Sequence, residues 1–328
     1  MTTRREFIGG GLGLGAASAA GMAVAQTAEA LTVVRIAGAG QGFNWLPILV
    51  AEKQGFFAAN GIKAEYVSVP SVDRATAAVR EGTADIAVTP PEGAVADTVR
   101  GGPLRLYAAN SLRLPMSLVV KSDIKNLAGL RGKRIGTSSL TEGTALYTQL
   151  ILQRAGLNFP GDYEFVLSGI HTARWTALQK GEIDAAPQPA PWNFMAESAG
   201  YRLIGEVNEA IPEIVFGAVV GNNAWIAEHR PLMRRVLAAM SRGHDFINDP
   251  ANDAVTLPIY MGVSTPNDRA MAMRGLVYTR DMGMWPKGMK FTQAAREATI
   301  DLMVKARLLT AEQRTGAHAA FDLSLLDA

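Results

Sequence analysis

Two stretches of this chain, about a hundred residues apart, repeat one local pattern. Residues 80–92 (REGTADIAVTPPE) and 179–192 (QKGEIDAAPQPAPW) each read as a helix end, a glycine, an aspartate, a short apolar strand and a Pro-rich loop. A helix that leads into a buried strand is the repeating unit of a parallel sheet covered by helices. The repetition predicts two α/β lobes, and we expect each repeat to supply the third strand of its lobe.

The rest of the chain supports this interpretation. The β-branched runs LTVVRIAG (31–38) and IKAEYVSV (62–69) are typical of strands, and NWLPILVAEKQGFFAA (44–59) reads as one helix. Residues 250–328 read mainly as helices. The predicted fold class is therefore α/β, with two lobes that are each a mostly parallel sheet flanked by helices.

The order of the elements also predicts the domain organisation. Lobe 1 is expected to be discontinuous, residues 31–112 plus 217–328, and lobe 2 continuous, residues 113–216. Two crossing segments, residues 110–117 and 212–219, would join them. In open α/β sheets ligands bind beyond the carboxyl ends of the strands, so loops from both lobes would surround one cleft.

The first 25 residues predict a cleaved export signal rather than part of the fold. Arg4 and Arg5 precede Phe7 and Ile8, a Gly/Ala-rich apolar run follows, and small residues end it at 23–25. The pair of arginines resembles a twin-arginine signal. An N-terminal membrane anchor is the alternative, although the run is scarcely long enough to span a bilayer. We expect a mature protein in the periplasm.

Composition excludes several classes of function. The net charge is only +2 and no basic stripe runs along the chain, so we expect no nucleic-acid partner. The absence of cysteine excludes disulfides, thiolate metal sites and a cysteine nucleophile. The histidines lack metal-ligand spacing, and the Met-rich segment 269–289 is interpreted as helix packing rather than a Cu(I) site. We therefore expect no cofactor and no metal.

Four phrases carry a resemblance to a known family: WLPILVAEKQGFFAANGIKAEYV (45–67), AAVREGTADIAV (77–88), LAGLRGKRIGTSSLTEGT (127–144) and ALQKGEIDAA (177–186). Together they resemble the periplasmic solute-binding components of ABC importers, in the group for sulfonates, nitrate and thiamine-pyrimidine precursors. The resemblance implies a type II periplasmic-binding-protein fold whose lobes close on a small ligand by hinge motion. It also implies a membrane permease as partner.

The stretch IGTSSLTEGT, residues 135–144, is the strongest candidate for ligand binding. It combines the end of a strand, several hydroxyls and the start of a helix, whose free N–H groups and dipole suit a carboxylate, sulfonate or phosphate. The alternative is that Thr141 or Thr144 merely caps the helix. The expected ligand contacts here are Thr137, Ser138, Ser139, Gly143 and Thr144.

The loop after the first strand, GAGQGFNWLP, is expected to approach the ligand closely. It is not a dinucleotide fingerprint, because Phe43 stands where G-x-G-x-x-G requires glycine. We expect Gln41, Phe43 and Asn44 to lie at the cleft, and Trp45 to lie either there or in the core.

The loops after the two repeats are expected to face each other across the cleft. Their prolines fix φ and would hold the loops rigid. The predicted ligand contacts are Thr89, Pro90 and Glu92 from lobe 1, and Gln188 and Trp192 from lobe 2. Ser168 and His171 follow another strand of lobe 2 and belong to the same rim, with a solvated helix-end histidine as the alternative for His171.

These features predict a binding protein rather than an enzyme. No G-x-S-x-G elbow, P-loop or usefully spaced carboxylate pair is present. We expect a monomer that captures a small, anionic sulfonate or carboxylate for an ABC importer. The alternatives are an enzyme on the same fold, similar to a decarboxylase or a pyrimidine-precursor synthase, and a periplasmic sensor that presents its ligand to a receptor.

Overall fold

The structure of the protein is a computed structural model, which describes residues 30–40, 42–140, 143–265 and 267–326. The predicted export signal at residues 1–25 and the predicted contact Gln41 lie outside these ranges. No helix within them is both long and apolar enough to cross a bilayer.

The strands of the described residues form two five-stranded sheets. In chain order they are β1 (Thr32–Gly38), β2 (Ile62–Ser68), β3 (Ile86–Thr89), β4 (Leu104–Ser111), β5 (Met116–Val120), β6 (Arg134–Thr137), β7 (Glu164–Leu167), β8 (Ala185–Pro189), β9 (Arg202–Glu206) and β10 (Gly217–Asn222). The first sheet has the order β2-β1-β3-β10-β4 and the second the order β7-β6-β8-β5-β9. The predicted two-lobed α/β fold is confirmed. We name the lobe that contains the first sheet lobe 1 and the other lobe 2.

Helices cover both sheets. They are α1 (Leu46–Lys53), α2 (Phe56–Ala59), α3 (Val72–Arg80), α4 (Glu92–Val99), α5 (Thr144–Gln153), α6 (His171–Gln179), α7 (Trp192–Ser198), α8 (Val207–Ala210), α9 (Asn223–Glu228), α10 (Arg230–Asn248), α11 (Asp253–Gly262), α12 (Arg269–Asp281), α13 (Gln293–Lys305) and α14 (Gln313–Ala317). Alternate strand residues pack on opposite faces: Ile36 joins one apolar cluster and Ala37 another. Both faces of the first sheet are therefore buried, as a helix-covered sheet requires.

The two repeated stretches occupy the same place in the two sheets. β3 and β8 are each the middle strand in space, and each pairs in parallel with the strand beside it. Asp85 accepts a hydrogen bond from the backbone N–H of Arg35 at 2.7 Å, and Asp184 accepts one from that of Arg134 at 3.0 Å. The repeated aspartate thus fastens each middle strand to its neighbour.

Two predictions about elements are wrong. Along the chain β8 is the fourth strand of its sheet, not the third, because β5 precedes the parallel strands and pairs antiparallel with β8. The single helix predicted for residues 44–59 is interrupted at Gly55, whose φ of 68° is left-handed and ends the helical path.

The C-terminal helices contact both lobes. The Tyr260 hydroxyl, on α11, donates to the carbonyl of Ala190 in lobe 2 at 3.0 Å. Leu302, on α13, joins an apolar cluster that includes Tyr147 of α5. Met284 and Met289 are buried in apolar clusters, which supports the interpretation of the Met-rich segment as packing.

Candidate functional site

A pocket that is partly open to solvent lies between the two lobes. Lobe 1 contributes the loops after β1 and β3, and lobe 2 the loops after β6 and β7. Met116, the first residue of β5, and Phe216, just before β10, also line the pocket. The carboxyl ends of strands from both sheets therefore converge on one cavity, which is where α/β folds place their ligands.

Eight of the residues predicted from the sequence line this pocket: Phe43, Asn44, Thr89, Pro90, Ser138, Gly143, Thr144 and His171. Six others do not: Glu92, Thr137, Ser139, Ser168, Gln188 and Trp192. The lining thus draws on the predicted loops after β1, β3, β6 and β7, whereas the loop after β8, which was expected to face the cleft, contributes none of its residues.

The hydroxyls near the start of α5 form a small network. Thr137 donates to the carbonyl of Ser139 at 2.9 Å and lies 2.9 Å from the Thr144 hydroxyl. Because Thr137 has only one proton, Thr144 is the donor of the second bond. Ser138 lies 3.4 Å from Thr144 and is the donor of this third bond, because the Thr144 proton goes to Thr137. This bond is the longest of the three, so the Ser138 hydroxyl can turn to a ligand at the least cost. Gly143, which has no side chain, is the residue that precedes α5, and the alternative cap Thr141 lies outside the described residues.

Gln188 and Trp192 lie behind His171 rather than in the pocket lining. The Gln188 side chain donates from Nε2 to the backbone carbonyl of His171 at 3.3 Å. The Trp192 ring lies 5.5 Å from the His171 ring, centroid to centroid. Ser168 donates to the carbonyl of Val166 at 3.1 Å. Gln188 and Trp192 therefore support His171.

Arg174 is a charged pocket residue that sequence reasoning missed. It lines the cavity, is 3% exposed, and forms no salt bridge with any residue in the described part of the chain. Its Nη1 donates to the carbonyl of Gly169 at 3.1 Å, while its Nε is buried without a partner. Its position three residues after His171 on a predicted helix places both on one face, and this spacing was the available signal.

The electrostatics of α6 follow from burial. Removal from water lowers the pKa of Arg174 to about 9, so the guanidinium is still charged at neutral pH. Burial, together with the charge of Arg174, lowers the pKa of His171 to about 3. His171 is therefore a neutral imidazole, and Arg174 supplies the positive charge of this wall.

Aromatic rings form the remaining walls. Phe43 and Phe216 lie almost parallel, with an interplanar angle of 15° and centroids 6.1 Å apart. His171 meets Phe43 edge-on, at 71° and 5.7 Å. Trp45 lines the pocket and also belongs to the core of lobe 1, so both of its predicted locations apply.

Glu92 lies at the junction of the lobes, outside the pocket lining. It is 2% exposed, and neither carboxyl oxygen has a hydrogen-bond partner among the described residues. The amide of Gly143 and the hydroxyl of Tyr147 lie near enough to act on the carboxyl but complete no hydrogen bond of normal geometry. Burial raises the pKa of Glu92 to about 7.

Arg113, in the first crossing segment, lies away from the cavity and donates to the backbone carbonyl of Met282. Within the described ranges no group of three or more His, Cys, Asp or Glu side chains is placed to hold a metal ion.

Solved structures with the same fold include several binding proteins. A protein from Bordetella bronchiseptica RB50 superposes with a TM-score of 0.75 at 20% identity, covering 90% of this chain and 95% of that one. The alkanesulfonate-binding protein SsuA from Xanthomonas axonopodis pv. citri, bound to MOPS, gives 0.71 at 18% identity, covering 89% and 98%. The periplasmic nitrate-binding protein NrtA from Synechocystis PCC 6803 gives 0.72 at 11% identity, covering 90% and 87%.

Sequence comparisons agree with the fold. A Brucella abortus (strain 2308) protein described as a binding protein is 26% identical over 159 residues, which is 44% of this chain and 46% of that protein. The chain thus matches about half the length of this relative. The family model described as "NMT1/THI5 like" matches residues 42–253, well over half of the 328 residues, and confirms the resemblance found in the sequence. The chain belongs to the NMT1/THI5-like family.

Proposed function

We propose that this protein is the substrate-binding component of an ABC importer and captures a small organic anion between its two lobes. The observation that carries the proposal is Arg174, a buried cation that lines the interlobe pocket without a carboxylate partner among the described residues. A buried charge is costly unless it is paired and hydrogen-bonded. A ligand with a carboxylate or sulfonate would supply the missing partner.

Lobe 2 offers the acid group several donors. Ser138 and Thr144 line the same cavity as Arg174, and α5 begins at Thr144 with backbone N–H groups that need acceptors. A guanidinium binds a carboxylate or sulfonate through two parallel hydrogen bonds. We therefore place the acid group of the ligand against lobe 2.

Contacts across the cleft support closure as the capture step. A Cβ at Gly42 of lobe 1 would lie 2.9 Å from Cε1 of His171, so the two lobes touch there. A Cβ at Gly143 would lie 3.8 Å from Cγ of Pro90. Ligand stabilises the closed form only through contacts that the open form lacks, and a pocket shared between lobes provides such contacts.

We propose the sequence-derived boundaries for the lobes, 31–112 plus 217–328 and 113–216, with hinges in the crossing segments 110–117 and 212–219. Met116 and Phe216 lie in these segments and line the pocket. A ligand would therefore contact the hinges as well as the lobes, which would couple its binding directly to the angle between them.

We also propose export to the periplasm by a twin-arginine signal in residues 1–25, action as a monomer and delivery of the ligand to a membrane permease. Structures with the same fold are described as periplasmic binding proteins for aliphatic sulphonate and for nitrate. These descriptions support capture rather than catalysis. A sensor that presents the same ligand to a receptor is the alternative.

The test is a thermal-shift screen of residues 26–328 with organic sulfonates, organic carboxylates, nitrate and neutral pyrimidines, followed by mass spectrometry of the ligand. A ligand at a hundredfold excess over its dissociation constant adds about 2.7 kcal/mol of stability. We expect organic anions to raise the melting temperature and to be recovered unchanged. Recovery of a chemically altered ligand would show an enzyme, and a response to neutral compounds alone would contradict the anion site.

A further inference from the structure

The residues that line the pocket indicate how many acid groups the ligand has, as well as the sign of its charge. Arg174 is the only Lys, Arg, Asp or Glu among the described residues of the lining. His171 is held neutral by burial, so it adds no charge. One cation balances one acid group, and a second acid group would be buried without a counter-charge. The ligand is expected to be a monoanion.

The aromatic walls of the pocket are apolar and flat. Phe43 and Phe216 lie side by side in nearly the same orientation, 15° apart, and His171 stands at 71° to Phe43. Two walls that meet nearly at a right angle suit a flat ring, which can stack on one wall and present its edge to the other. A flexible alkyl chain would satisfy neither geometry.

The walls are also fixed in position. Phe43 and Trp45 are almost fully buried, and Gly38 leaves the space that the Trp45 ring occupies, since a Cβ at Gly38 would lie 2.1 Å from its Cζ2. His171 is held from behind by Gln188. A preformed rigid site binds a rigid ligand with little loss of conformational entropy, whereas an alkyl chain must give up rotamers.

We propose that this pocket selects monoanions whose acid group is attached to an aromatic ring, namely aryl carboxylates or arylsulfonates. The acid lies against Arg174 and the Ser138 hydroxyl, and the ring lies against Phe43 and Phe216. The inference rests on the proposed capture function and names the ligand class of that same site. It makes the two phenylalanines the residues that determine specificity.

Calorimetry with matched pairs of ligands tests this assignment. Benzoate is compared with cyclohexanecarboxylate, and benzenesulfonate with hexanesulfonate, because each pair shares its acid group and differs in the flat ring. We expect each aryl compound to bind about tenfold more tightly than its partner, from one or two ring contacts. Equal affinities within both pairs would overturn the ring assignment and leave the proposed function intact.

Substitution of the two phenylalanines tests whether their rings cause the preference for aryl over alkyl ligands. Phe43→Leu and Phe216→Leu keep an apolar side chain but remove the ring, so the ratio of aryl to alkyl affinity should fall toward one. Phe321→Leu is the matched control, since Phe321 is buried against Phe291 outside the pocket. Circular dichroism confirms folding of each variant.

The outcomes separate the two proposals. An unchanged ratio in both folded pocket variants would contradict the role of the rings. Failure of every anion to bind, aryl or alkyl, would instead contradict the proposed function. Binding of benzamide as tight as that of benzoate would contradict the requirement for the acid group.

Discussion

The carboxyl of Glu92 in lobe 1 faces the hydroxyl of Tyr147 in lobe 2, and the two buried groups complete no hydrogen bond with each other. Neither has a hydrogen-bond partner among the described residues at the place where the lobes meet. A buried polar group without a partner is costly, and an acid reduces this cost by remaining protonated. The pKa of Glu92 is accordingly raised from 4.5 to about 7, mainly by burial.

This raised pKa predicts how stability depends on pH. The folded protein binds a proton at Glu92 between pH 4.5 and about 7, where the unfolded chain has lost it. The contribution of Glu92 to the free energy of unfolding is therefore greatest below pH 4.5 and falls as pH rises through about 7. The shift corresponds to a loss of about 3 kcal/mol.

Glu92→Gln should remove this loss, so the variant should gain stability relative to the wild type as pH rises. Urea unfolding at about pH 5 and about pH 8 measures the change. The exposed Glu228→Gln is the control. If Glu92→Gln changes stability equally at both pH values, the assignment of a buried, protonated carboxyl is wrong.

His171 predicts the opposite response to acid. Its pKa is lowered from 6.5 to about 3 by burial and by Arg174. Its contribution to stability is complete above pH 6.5 and is lost as pH falls, because the unfolded chain takes up a proton that the folded imidazole does not. His171→Gln should lose less stability than the wild type between pH 6.5 and about pH 5. His229→Gln, outside the pocket, is the control, and a wild-type response in His171→Gln would contradict the prediction.

Arg174→Met should separate ligand binding from stability. Replacing a buried cation that lacks a carboxylate partner with an apolar side chain of similar length should stabilise the ligand-free protein by about 1 kcal/mol or more. Chemical denaturation without ligand provides the measurement. Arg202→Met, on an exposed position of the same lobe, should have little effect. A strongly destabilised Arg174→Met would show that this arginine has a structural role.

Gly42→Ala should weaken closure without straining the backbone. Gly42 has φ −82° and ψ −170°, which any residue adopts, but its Cβ would lie 2.9 Å from Cε1 of His171 across the cleft. We expect about tenfold weaker ligand binding in calorimetry, with the free energy of unfolding nearly unchanged. Gly262→Ala, which has open space around it, is the control. Wild-type affinity in Gly42→Ala would argue against closure at this contact.

Tyr260→Phe removes one hydrogen bond between α11 and lobe 2. The hydroxyl donates to the carbonyl of Ala190 at 3.0 Å, and its loss should reduce ligand affinity about fivefold if it stabilises the closed form. Tyr163→Phe is a matched control, because the Tyr163 hydroxyl is buried without a partner. Equal affinities in the two variants would mean that the Tyr260 bond does not favour closure.

The fold could be predicted because short stretches of the sequence specify its strands, helices and turns. The aspartates of the two repeats, Asp85 and Asp184, mark equivalent turns, and the strands that follow them occupy equivalent positions in the sheets. The break at Gly55 could not be predicted with certainty, because a glycine inside an apolar helical pattern is compatible with a continuous helix.

The sequence could predict loops that form the site, but not which of their residues line the pocket. Ser138 and Thr137 are neighbours, but alternation at the end of a strand turns one toward the pocket and the other into the core. Arg174 was missed because a charged residue on a helix is normally solvated, and only the packing of α6 against the cleft buries it. Phe216 enters the pocket through a crossing segment whose path no local pattern specifies.

Titration calorimetry of benzoate with the wild type and Arg174→Met tests the central claim most directly. The account predicts binding to the wild type and about tenfold to hundredfold weaker binding to the variant, because hydrogen bonds to a charged group would be lost. Equal affinity for both proteins would contradict a pocket built around a buried arginine for an organic anion.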